Sequence, residues 1–81
     1  MSSLSEFEAL EVSPNPFDKN LFFKVPEHGQ LLVSDVTGRV FLQQYISEGT
    51  NQLNTEDWNS GIYFVQFVGK NSKQIGKVIK K

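Results

Sequence analysis

Apolar and polar residues alternate along most of this 81-residue chain. In the stretch LFFKV, for example, Leu21, Phe23 and Val25 occupy every second position, and several later apolar runs repeat this period. Such alternation predicts strands with one buried face, and the many Val, Ile, Phe and Tyr residues suit a pleated, half-buried surface. Seven strands are predicted, at about residues 9–13, 20–25, 30–35, 39–46, 50–54, 62–68 and 74–80.

Turn-forming residues separate the predicted strands. Pro14-Asn15-Pro16 follows the first strand, and a turn containing Asp35 and Gly38 follows the third. The carboxylate of Asp35 can accept hydrogen bonds from N–H groups further along, and Gly38 can take a positive φ. No segment has a helical period, but Thr55 is a candidate N-cap for a single turn that folds Trp58 over an open end of the core. Short strands with turns between them are typical of a β-sandwich or barrel.

The length of the chain predicts one small domain with a modest core, so most of its ten aromatic residues should be buried. The chain has no cysteine, which excludes disulfides and thiolate metal sites. A net charge of −1 gives no reason to expect nucleic-acid binding. No apolar run approaches the roughly 20 residues of a membrane span, and the first residues lack the pattern of a signal peptide. The chain is either a complete small protein or a segment of a larger one.

Few residues are suited to catalysis. The one histidine, His28, lies in a predicted turn, and it has no second His or any Cys with which to bind a metal. Four carboxylates, Asp35, Glu48, Glu56 and Asp57, lie next to turns, and Asp35 is better explained as a turn former. No glycine-rich phosphate loop is present. We therefore predict no enzymatic activity and no cofactor.

Two other features each allow two interpretations. Phe22, Phe41 and Phe64 alternate against the main apolar set, so they form either a second buried face or an exposed ligand patch. Residues 70–81 contain five lysines and no acid. These lysines either protect a solvated edge strand from edge-to-edge pairing or present a basic strand to an anionic partner.

Four motifs follow one another in a familiar order: LEVSPNPFDKNL, VSDVTGRV, NSGIYFVQF and, at the end, KVIKK. Their order and spacing resemble the C-terminal sorting domain of the type IX (Por) secretion system, from about Leu10 to Lys81. Ser13 stands where this family often has an aromatic residue, and Trp58-Asn59-Ser60 replaces the usual residues before its G-x-Y strand. The family's structural motif falls on Pro14, Asn15, Pro16, Gly61 and Tyr63.

The resemblance implies an all-β fold, a compact Ig-like β-sandwich of about seven antiparallel strands with room for one parallel pairing at an edge. Residues 1–8 would be a mobile arm, the remnant of a linker to an upstream cargo domain, and residues 9–81 the sorting domain. The outer-membrane type IX translocon would recognise this label, and a sortase-like peptidase would remove it. The cargo would pass through the periplasm and be released, or attached to anionic lipopolysaccharide at the cell surface.

The resemblance and the turn chemistry together suggest residues that contact the translocon: Asp35, Gly38, Arg39, Lys77, Val78, Ile79, Lys80 and Lys81. As an edge strand, the C-terminal segment could pair with a receptor by β-augmentation. Edge strands could also join two copies in a dimer. Arg39 either clamps the Asp35 turn or reaches the translocon.

The sequence also predicts two buried aromatic residues and leaves one alternative function open. Phe17, placed by the preceding prolines, should reach the apolar face, and Tyr63 should bury its ring with its hydroxyl at the rim of the core. The alternative is a generic Ig- or fibronectin-like accessory module that binds carbohydrate or protein. Such a module would expose Phe22, Phe41 or Phe64 in a row.

Overall fold

Residues 7–81 fold, in the computed structural model, as two β-sheets that form a sandwich. This confirms the predicted all-β, Ig-like architecture. No helix that could span a membrane occurs in this part of the chain. Residues 1–6, most of the predicted arm, lie outside the described residues. Within residues 7–81 there are eight strands: β1 (Glu8–Ala9), β2 (Val12–Ser13), β3 (Asn20–Val25), β4 (Gly29–Asp35), β5 (Val40–Ile46), β6 (Gly49–Asn54), β7 (Gly61–Gly69) and β8 (Lys73–Lys80).

The larger sheet has the strand order β1-β8-β7-β4-β5, and the smaller has the order β2-β3-β6. Neighbouring strands are antiparallel except β1 and β8, which form the parallel pairing predicted for an edge. The predicted strand 9–13 is in fact two strands. Residues 8–9 pair in the larger sheet, and residues 12–13 pair in the smaller one. The chain therefore crosses between the sheets at Leu10 and Glu11.

The core lies between the two sheets and is built by the predicted alternation. Leu21, Phe23 and Val25 of β3 are buried, whereas Phe22 and Lys24 between them are exposed. Strands β4 and β7 contribute in the same way. The buried apolar residues are Leu10, Phe17, Leu21, Phe23, Val25, Leu31, Val33, Ile46, Leu53, Tyr63, Val65, Phe67 and Val78. Phe17 is completely buried, as predicted.

The turn after β6 covers one end of the core with Trp58. The N–H group of Trp58 donates to the carbonyl oxygen of Thr55 (3.0 Å), and the indole packs against the core cluster. The predicted single turn that folds Trp58 over this end of the core is confirmed, but the Thr55 side chain does not cap it. Its hydroxyl instead donates to the carbonyl oxygen of Asp18 (3.1 Å), and its own N–H donates to that of Lys19 (2.9 Å). These long-range bonds join the end of β6 to the start of β3.

Candidate functional site

The prediction that the C-terminal strand β8 is a free edge is wrong, because both of its sides are paired. One side pairs with β7, and the other pairs in parallel with β1. The N–H group of Leu10 then donates to the carbonyl oxygen of Ile75 (3.0 Å). We call residues 8–17 the N-terminal strap. A receptor could add a strand at this edge only by displacing the strap.

Asn15 extends the strap with its side chain. Its Oδ1 accepts a hydrogen bond from the N–H group of Ile79 (3.0 Å), and its Nδ2 donates to the carbonyl oxygen of Lys77 (3.2 Å). The side-chain amide thus occupies the place that the backbone of a neighbouring strand would take. Pro14 and Pro16 on either side follow cis peptide bonds and lack N–H groups. Where the strap backbone does not pair with β8, the Asn15 side chain therefore supplies the hydrogen bonds to the β8 backbone.

The strap then rejoins β8 through its backbone. Phe17 donates its N–H to the carbonyl oxygen of Ile79 (2.8 Å) and accepts a bond from the N–H of Lys81 (2.9 Å). Near the other end of the strap, a Cβ on Gly76 would lie only 2.7 Å from the carbonyl oxygen of Leu10. Residue 76 must therefore be glycine for the strap backbone to approach this closely.

Lys80, predicted to contact the translocon, is buried and makes its contacts inside the domain. Only 6% of it is exposed. Its ammonium donates hydrogen bonds to the carbonyl oxygens of Asp18 and Thr55 and lies 5.8 Å from the centre of the Phe17 ring. The carboxylate of Asp18 is 3.8 Å away. The prediction of a surface role for Lys80 is therefore wrong, because these acceptors hold its charge inside the sandwich.

Alternation along β8 divides the other predicted contact residues. Val78 faces inward and belongs to the core, so it is not accessible to a partner either. Lys77 and Ile79 face outward and are exposed, as is Lys81. The carbonyl oxygen of Lys81 accepts a hydrogen bond from the hydroxyl of Ser60 (2.8 Å). Of the five C-terminal candidates, only these three can contact a partner.

The turn between β4 and β5 is organised by Asp35, as the sequence predicts. Its Oδ1 accepts hydrogen bonds from the N–H groups of Thr37 (2.9 Å) and Arg39 (3.2 Å) and from the Thr37 hydroxyl. Its carbonyl oxygen accepts a bond from Gly38, whose φ of 90° lies in the region that favours glycine. The Nε of Arg39 is 3.5 Å from Asp35 Oδ2, but 79% of the Arg39 side chain is exposed. The Arg39 side chain therefore lies beside the turn carboxylate and remains exposed to solvent.

These contacts favour the charged form of Asp35. The hydrogen bond from the Thr37 hydroxyl is the largest cause, and the N–H groups of Arg39 and Thr37 and the Arg39 guanidinium add to it. Together they hold the pKa of Asp35 below its ordinary value, although partial desolvation opposes them. The hydrogen bonds to Asp35 Oδ1 are therefore strongest with this carboxylate ionised.

Four aromatic rings from distant parts of the chain meet next to this turn. Trp58 lies 5.6 Å from Phe17, 5.2 Å from Phe41 and 5.0 Å from Tyr63, measured between ring centres. The hydroxyl of the buried Tyr63 donates to the carbonyl oxygen of Asn59 (2.6 Å), which is the predicted arrangement at the rim. Gly61, just before it, has a φ of 146°. The aromatic cluster therefore lies at the end of the sandwich where strand β7 begins.

The cluster and the turn border a shallow cleft of about 320 Å³. Its lining combines the rings of Phe41 and Trp58 with the charged groups of Asp35, Arg39 and Asp57. Within residues 7–81, no three His, Asp or Glu side chains come together as metal ligands. The surface of the cleft therefore presents both aromatic and charged groups.

Phe22, Phe41 and Phe64 form neither a second buried face nor a row. Phe22 lies on the outer face of the smaller sheet and is 40% exposed. Phe41 belongs to the aromatic cluster, and Phe64 lies half-buried on the outer face of the larger sheet. The surface expected of a carbohydrate-binding accessory module is therefore not present in the described residues.

One protein family matches most of this chain. The family model described as "Secretion system C-terminal sorting domain" matches residues 11–81. A search of curated proteins finds no match. The matched range includes most of the strap, the Asp35 turn, the aromatic cluster and strand β8. The chain therefore belongs to the family of secretion system C-terminal sorting domains, whose role is that of a type IX sorting signal on a secreted protein.

Proposed function

We propose that residues 9–81 form a non-enzymatic address label that takes an upstream cargo domain through the outer-membrane type IX translocon. The family match supports this proposal, and one structural observation carries it further. The strap and the C-terminal strand are hydrogen bonded side by side, ending with Lys81 N–H on the Phe17 carbonyl oxygen at 2.9 Å. A label closed in this way presents one rigid surface to a receptor.

The proposal includes removal of the label after export. A sortase-like peptidase cuts on the N-terminal side of the label, and the cargo is released or joined to anionic lipopolysaccharide. Glu8 and Ala9 are paired with β8, and Leu10 is buried, so cleavage within the strap would require breaking these contacts. We therefore place the cleaved bond before the paired residues. The cargo passes through the periplasm and ends at the cell surface or in the medium.

The accessible predicted residues remain the proposed contacts with the translocon. They are Asp35, Gly38 and Arg39 in the β4–β5 turn, with Lys77, Ile79 and Lys81 near the C-terminus. Val78 and Lys80 support these contacts from inside the sandwich. A dimer formed through edge strands would use β5 or β6, which are the long outer strands of the two sheets in the described part of the chain.

The proposal is tested by fusing residues 9–81 to the C-terminus of a folded reporter that carries its own signal peptide. In a host with a type IX system, the reporter should move from the periplasm to the surface or medium. A host without a working type IX translocon controls for leakage, and there the reporter should stay in the periplasm. A folded, intact label that leaves the reporter in the periplasm would overturn the proposal.

A further inference from the structure

The outer face of the larger sheet is unusually apolar for the solvent side of an antiparallel sheet. Such a sheet normally alternates apolar residues inward with polar residues outward. Here eight of the outward residues on β4, β5, β7 and β8 are apolar or aromatic, as the strand registers place them. They are Leu32, Val40, Tyr45, Ile62, Phe64, Val68, Ile75 and Ile79. We call this surface the outer apolar face.

The smaller sheet provides an internal comparison. Its outward positions are polar apart from Phe22, and the amide of Gln52 donates to Asn20 Oδ1 (2.9 Å) across two of its strands. By contrast, the outer apolar face leaves Ile62 36%, Ile75 40% and Ile79 43% exposed. Ile62 and Ile79 lie directly opposite each other. Polar residues interrupt this face, and Gln43 donates to Gln30 Oε1 (3.3 Å) across two of its strands, but exposed apolar side chains in such number can mark an interaction site.

Charge indicates what kind of partner fits. The outward positions of these four strands include Lys73 and Lys77 but no carboxylate. Lys77 lies opposite Phe64, so a cation stands beside the apolar patch. A partner with an apolar centre and acidic residues around it would match both features. The face is built of strands rather than protruding loops, so it lacks an apolar protrusion of the kind that inserts into a membrane, and a protein surface is the better fit.

The size of the face argues against a stable dimer. Four strands at about 4.8 Å spacing and about 23 Å length present roughly 450 Å². A stable interface needs about 800 Å² from each partner, whereas smaller ones belong to transient encounters. We propose that the outer apolar face docks transiently on an apolar, acidic-rimmed protein surface of the export machinery, an inference that rests on the proposed function.

The test uses the reporter fused to residues 9–81, with substitutions that keep strand propensity. Ile62→Thr combined with Ile79→Thr, and separately Lys77→Glu, should each lower the export rate about fivefold or more, as for residues central to an interface. Phe22→Thr and Lys24→Glu, the matched changes on the smaller sheet, should leave the rate unchanged. Thermal unfolding of each purified label shows whether it folds, and Lys77→Glu serves as the test if the isoleucine variant does not.

The outcomes separate the two proposals. If the intact label is not exported, the proposed function fails and this inference fails with it. If the intact label and the folded face variants are exported equally, this inference fails together with the proposed contacts at Lys77 and Ile79, and the sorting function itself stands. A label that sediments as a dimer dissociated by the isoleucine changes would assign the face to a second copy and overturn it. Binding to vesicles of anionic lipid that Lys77→Glu abolishes would assign it to a membrane, with the same consequence.

Discussion

Replacing Phe17 with alanine should destabilise the domain by about 3–5 kcal/mol, the usual cost of removing a buried phenylalanine ring. The ring is completely buried and holds the strap in the core. Its centre lies 5.6 Å from that of Trp58 and 6.3 Å from that of Tyr63, and it lies under the Lys80 ammonium. The truncation would therefore leave a cavity where the strap, the C-terminal strand and the end turn meet.

The size of this effect matters because small domains are marginally stable. About 0.05–0.15 kcal/mol per residue gives a free energy of unfolding of roughly 4–12 kcal/mol for this chain. The Phe17→Ala variant should thus lose a large share of its stability. Urea unfolding, followed by circular dichroism, measures the loss for the variant and for Phe22→Ala. Because Phe22 is 40% exposed on the outer face of the smaller sheet, that control should cost less than about 1 kcal/mol.

The comparison has a clear contrary result. If Phe17→Ala and Phe22→Ala have equal midpoints and equal denaturant slopes, the strap is not part of the folded core. The packing of the strap over β8 would then be refuted. A loss below about 1 kcal/mol for Phe17→Ala would lead to the same conclusion, since that is the cost of an exposed substitution.

Three further predictions test single contacts. Asn15→Ala removes both side-chain hydrogen bonds to β8, so hydrogen exchange at the Ile79 N–H should accelerate while exchange in central β7 stays slow. Unchanged protection of the Ile79 N–H would contradict the contact. Lys80→Met should cost about 1–3 kcal/mol in urea unfolding because charged hydrogen bonds to two carbonyl oxygens are lost, whereas Lys81→Met should be nearly neutral; equal costs would contradict the buried role. The folded state lowers the pKa of Asp35 from 3.8, so the ionised carboxylate adds stability above pH 3.8, and that stability is lost as the pH falls through the lowered pKa. Asp35→Asn should therefore make the free energy of unfolding depend less on pH in the acid range. An unaltered pH profile of the unfolding free energy would contradict the turn contacts.

The sequence predicts the strands well where burial alone decides them. Leu21, Phe23 and Val25 must all face one side, so the period of two marks β3 and defines its inward face. The Asp35 turn is equally local, because its hydrogen bonds join residues at most four positions apart. Such features can be derived from a short window of residues.

The features that the sequence does not predict depend on contacts between distant residues. Lys80 looks like a surface lysine until the fold brings the Asp18 carbonyl, 62 positions away, to its ammonium. The split of the first predicted strand depends on which sheet each half joins, and β8 supplies one of those partners. Asn15 likewise resembles an ordinary turn residue, although its amide completes the edge of β8. No local period or propensity encodes these pairings.

The central claim is that this closed sandwich is itself the export signal. The most direct measurement is the fraction of a reporter fused to residues 9–81 that surface-applied protease can reach, compared between hosts with and without a working type IX translocon. The account predicts a surface or released reporter in the first host and a protected, periplasmic one in the second. Equal protection of the folded fusion in both hosts would contradict it.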